Sequence, residues 1–132
     1  MAKLVDDIAV GAEWIAECLK SSGYRADFSL SSLRELDRFL DDATEKGAPR
    51  PGGLLAEDTG TRVFALGAYL GEVLRRAKGG EWRGDDNDPQ GEVNVELRFA
   101  AKDVIWPVQR VLKRIQNGKE DSLEAFGAAL VS

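Results

Sequence analysis

The side chains that could do chemistry in this 132-residue chain are carboxylates and one thiol. The chain contains no histidine. That removes Ser–His and Cys–His nucleophile pairs, imidazole bases and most zinc sites. Cys18, the single cysteine, reads as a buried or inert thiol. Paired carboxylates can still serve as acid and base. The candidates are Glu57, Asp58, Glu72 and the run Asp85-Asp86-Asn87-Asp88, but their spacing fixes no convergent geometry. Aligned from Asp86, a calcium loop would use Asp86, Asp88 and Gln90 with Gly91 at the turn. Its twelfth position, which needs a bidentate glutamate, is Leu97, and Pro89 interrupts the loop. The run reads better as a polar hairpin loop. Arg75, Arg76, Lys78 and Arg83 gather near Trp82 and suit the negative end of a helix better than a phosphate site.

These residues must be held by a regular frame, and its centre is the stretch 64–82. Phe64, Leu66, Leu70, Val73, Leu74 and Ala77 repeat at helical spacing, and Gly79-Gly80 closes the helix. Gly67 and Gly71 share a face of it. Each costs about 1 kcal/mol against alanine, so the pair predicts close approach of another backbone, or of a ligand brought against bare backbone.

Before this centre, the stripe Leu4, Ile8, Ala12, Ile15, Leu19 predicts a helix over 3–21, with Trp14 as a half-buried cover. Residues 24–29 read as an edge strand or an extended link. A second helix begins at Ser31 or Ser32 and buries Leu33, Leu36, Leu40 and Ala43, leaving Asp37, Arg38, Asp41 and Asp42 outside. Residues 47–56 form a loop.

After the centre, residues 81–84 pair with the alternating strand Val93, Val95, Leu97, Phe99, and 104–106 adds a third strand. Pro107 opens a helix whose inner face is Val108, Val111, Leu112 and Ile115, with Arg110, Lys113 and Arg114 outside. Asn117-Gly118 closes it, and Asp121 or Ser122 caps a last helix carrying Leu123, Phe126 and Leu130. The expectation is one α+β domain over 1–132, with a small antiparallel sheet of about three strands packed against four to five helices.

The segments Leu66-Gly67-Ala68-Tyr69-Leu70-Gly71-Glu72, Gly79-Gly80-Glu81-Trp82, the Pro107 helix, Asn117-Gly118 and Asp121-Ser122-Leu123 resemble a group of small bacterial proteins of unknown function. The resemblance spans roughly residues 30–126. It implies a bacterial origin and this architecture, and it carries over no catalytic residue.

The net charge is −5 and the pI about 4.8, which argues against nucleic acid. Residues 1–58 carry 12 acidic and 7 basic residues, whereas 59–132 carry 11 of each. No apolar run is long enough to span a membrane. The lone thiol and the absence of a signal-like start point to the cytoplasm. The leading expectation is therefore a non-enzymatic bacterial protein-interaction domain, of which an immunity protein that neutralises a toxin is one version. Its docking face would include Asp37, Asp41 and Asp42. The alternative is a small-molecule-binding domain or carboxylate-dependent enzyme with a pocket beside Gly67, Gly71, Glu72 and Trp82. A homodimer on the exposed sheet edge is a third arrangement. No cofactor or metal is expected.

Overall fold

The computed structural model describes residues 3–100 and 102–132. Among these residues five α-helices surround and extend one core: α1 (Lys3–Ser21), α2 (Leu33–Ala43), α3 (Thr59–Lys78), α4 (Pro107–Asn117) and α5 (Leu123–Val131). Two antiparallel sheets complete the α+β fold. β1 (Thr44–Glu45) pairs with β2 (Ala48–Pro49), and β3 (Glu81–Arg83), β4 (Glu96–Arg98) and β5 (Val104–Ile105) form a meander. In the meander Trp82 sits opposite Leu97, and Leu97 opposite Ile105. No helix among the described residues is long and apolar enough to cross a membrane.

α3 is the axis. Every residue from Val63 to Leu74 is buried, the pattern of a helix apolar all round that is enclosed by neighbours. α1 lies along one side of it and α4 along another. The two glycines explain the second crossing. A Cβ on Gly67 would come within 2.7 Å of Val108 Cα, and one on Gly71 would overlap the Trp82 ring. Tyr69 brings the one phenol of this helix into the core. Its hydroxyl lies 2.7 Å from Ser32 Oγ and accepts from the Phe28 amide at 3.2 Å, so the segment before α2 is tied to the axis. Burial pushes the Tyr69 phenol above its ordinary range.

Several expectations change. Residues 24–29 form neither an edge strand nor a fully extended link: they have no strand partner and bend at Asp27 and Phe28, with Phe28 at φ 62°. A small hairpin replaces the start of the expected loop, because Lys46 and Gly47 both take positive φ and close a two-residue turn between β1 and β2. β4 is shorter than the alternation predicts: residues 89–94 are turn, and only Val95, Leu97 and Phe99 are buried. Gly91 packs there so closely that a Cβ would meet Leu4 Cδ1 at 2.7 Å and Asp85 O at 2.8 Å. The Val93 and Asn94 amides both donate to Gln90 O within this turn, so Val93 is spent on the turn and not on the ladder.

Arg114 is the clearest reversal. The sequence pattern predicts it outside, yet it is only 1% exposed. Its Nε donates to Asp37 Oδ1 at 2.9 Å and its Nη2 to Asp41 Oδ1 at 2.6 Å. Asp37 also accepts from Ser122 Oγ and from the Leu123 and Glu124 amides at the start of α5. A carboxylate at a helix N-terminus satisfies amides that have no partner within the helix. One acidic side chain thus joins α2, α4 and α5.

Candidate functional site

Each acidic residue expected to dock a partner is hydrogen-bonded to another side chain of the fold. Asp37 and Asp41 hold Arg114, and Asp42 accepts from the Tyr24 hydroxyl at 2.6 Å. The Asp37 and Asp41 side chains build the α2–α4–α5 junction, whereas Asp42, exposed at the end of α2, ties that helix to the link after α1. The pocket expected beside Gly67 and Gly71 is filled by Val108, Pro107 and Trp82. Glu72 is drawn into an internal cluster. Arg75 donates to it through Nε at 2.7 Å and Nη2 at 2.9 Å, and Trp82 Nε1 donates at 2.7 Å. Burial alone would raise the Glu72 carboxyl, but these hydrogen bonds from Arg75 and Trp82 outweigh it and hold it below its ordinary value. No acid of the 85–88 run joins Glu72. Asp86 caps α1 by accepting from the Lys3 and Leu4 amides at 3.1 and 2.9 Å. Asp85 and Asp88 accept from the Asn87 and Gln90 amides within their own turn.

What the structure leaves open lies on the other side of α3. On α1, Asp7, Gly11, Trp14 and Cys18 follow one another at spacings of four, three and four, so they share one flank. That flank faces the first turns of α3 and the loop before it. The loop is anchored by Leu55, which is fully buried. Thr59 Oγ1 donates to Leu55 O at 2.8 Å, and the Arg62 guanidinium donates to Leu54 O. Pinned at these points, the loop presents the Leu54 side chain outward, 53% exposed. Trp14 stands opposite, 43% exposed.

Between them is an apolar cavity of about 440 Å³, floored by Cys18, Phe39, Leu55 and Leu66. This falls in the size range of sites that take a ligand or an anchor side chain. A second hollow of about 300 Å³ continues past Trp14 between Asp7 and Val10 on α1, Thr61 and Phe64 on α3, and Glu92. Charged groups on the first cavity are already engaged: Glu17 pairs with Lys20 at 3.1 Å, and Arg62 holds Leu54 O. The lining therefore offers burial of apolar groups. Large exposed apolar side chains gathered at one concave place mark interaction sites more often than scattered ones do.

The sequence signal for this groove was present but split. Trp14 falls beside the α1 stripe, and Leu54-Leu55 is an apolar pair inside a polar loop. Nothing in either segment alone says that they meet.

No known protein family matches the chain, and no solved structure matches it. Among curated proteins, it is similar to the ornithine decarboxylase antizyme of Schizosaccharomyces pombe, with 39% identity over 51 residues. That stretch is 39% of this chain and 23% of the yeast protein, so the chain matches less than a quarter of its relative's length. This similarity overturns the expectation of a bacterial immunity-type function. The relative is a yeast protein whose name carries that of an enzyme, ornithine decarboxylase, and not that of a bacterial toxin.

Proposed function

We propose that the chain is a protein-binding regulator that recognises its partner through the groove between α1, the loop before α3 and the start of α3. The observation that carries this reading is the pairing of Trp14 and Leu54, both exposed, across an apolar cavity. Tryptophan is among the residues in which binding hot spots are enriched. The similarity to an antizyme supports a protein partner and transfers nothing about which protein it is. A reducing compartment belongs to the same reading, because it keeps Cys18 in the groove floor a free thiol.

The test is site-specific photo-crosslinking in cells that express the chain. A benzophenone amino acid at Leu54 is compared with one at Arg34 on α2, remote from the groove. The proposal expects a discrete adduct from position 54 that is absent from position 34 and lost when Trp14→Ala is added. Identical adduct patterns from both positions, or an adduct indifferent to Trp14, would refute it.

A further inference from the structure

The two ends of the groove differ in charge. At the Cys18 end, Glu17 is paired with Lys20 and Arg62 is bound to a carbonyl. At the other end, Asp7 and Glu92 face one hollow, and neither has a cationic partner among the described residues. Asp7 is half-buried there. A carboxylate partly removed from water and without a counter-ion favours a cation brought by an occupant.

The walls restrict the backbone of that occupant. They are α1 and α3, with Phe39 of α2 in the floor, the pinned loop at one end and the turn carrying Glu92 at the other, and no strand residue lines either hollow. An extended segment would find no ladder partners for its amides, whereas a helix satisfies its own. From Asp7 to Cys18 the flank runs roughly 16 Å at 1.5 Å per residue, which matches about three turns of a partner helix.

Resting on the protein-binding reading above, we infer that the groove takes an amphipathic helix with apolar residues over the Trp14–Leu54 cavity and basic residues at the end that lies over Asp7 and Glu92. The charge at that one end fixes the direction in which the helix lies. The apolar cavity supplies burial, and the two carboxylates supply register and specificity.

Two fluorescein-labelled synthetic helices of 18 residues test this by anisotropy against the full chain. They share one leucine stripe and differ only in carrying three lysines or three glutamates at one end. The lysine helix binds at least five-fold tighter at 50 mM NaCl, and the gap narrows at 300 mM as the charges are screened. Asp7→Lys with Glu92→Lys reverses the preference, and the milder Asp7→Asn with Glu92→Gln abolishes it if the reversed pair fails to fold. Trp14→Ala weakens both helices at least ten-fold. Equal affinity for the two helices with Trp14 dependence intact overturns the charge inference and leaves the groove reading standing. Lysine-helix binding that ignores Trp14→Ala is surface attraction and overturns the inference. Failure of both helices to bind overturns it as well, while the groove reading is decided separately by the crosslink from position 54.

Discussion

Replacing Gly67 by alanine isolates the packing argument for α3. On propensity alone the substitution would stabilise a helix interior by about 1 kcal/mol. The structure reverses the sign. The added Cβ would lie 2.7 Å from Val108 Cα and 2.9 Å from Val108 N, whereas carbon atoms pack best at about 3.5–4.0 Å. Backbone cannot rotate away as a side-chain tip can, so the start of α4 must back off by about 1 Å. That opens the interface where Val108, Val111 and Ile115 are buried. Overpacking of this kind costs about 1–3 kcal/mol, and loosening the neighbouring contacts adds dispersion loss. The net expectation is a loss of about 1–3 kcal/mol, read as a fall of about 1 M in the urea midpoint for a typical slope. Gly60→Ala is the control. It lies in the first turn of the same helix with nothing within 4 Å, and it should be neutral or stabilising by up to about 1 kcal/mol. A Gly67→Ala protein as stable as the parent would refute the reasoning.

Three further outcomes follow from the charged and polar clusters. Arg114→Ala leaves Asp37 and Asp41 without their cation and should cost about 3 kcal/mol, measured by urea unfolding; the loss should appear as early release of α5 in amide exchange, since Asp37 caps it. Trp82→Phe removes the Nε1 donor to Glu72 and should cost about 1–2 kcal/mol by thermal melt. The Arg38 side chain and the Arg25 amide hold the Glu35 carboxyl down to about 2 from an ordinary value of 4.5. Its stabilisation is therefore present above pH 4.5 and lost as the pH falls towards 2. Glu35→Gln should flatten the acid limb of a stability-against-pH curve in that window, and parallel limbs for the two proteins would contradict it.

The helices were legible because their signals are local. The α3 stripe ends where Gly79 takes φ 85°, and α4 runs from Pro107 to Asn117 with Gly118 at φ 73°. The paired glycines correctly announced a tight crossing. What escaped were the features made by distant segments. Arg114 follows Val111 by three residues and so lies on the inner face, but an arginine there is intelligible only once Asp37 and Asp41, one turn apart on α2, stand opposite it. Two of the three acids that read as a docking face, Asp37 and Asp41, are the other half of that cluster. The turn through Val93 includes Gly91, which packs against Leu4, more than eighty residues away. The groove likewise exists only because Leu55 and Thr59 fix a loop that brings Leu54 across from Trp14.

The most direct test of the groove as the recognition surface is an amide chemical-shift titration of the isotopically labelled chain with the partner recovered from the crosslink. With the groove as the recognition surface, the largest shifts fall in residues 7–18 and 54–66, and β3–β5 and α4 change little. Shifts concentrated on the β3–β5 meander or around the Arg114 junction would contradict it.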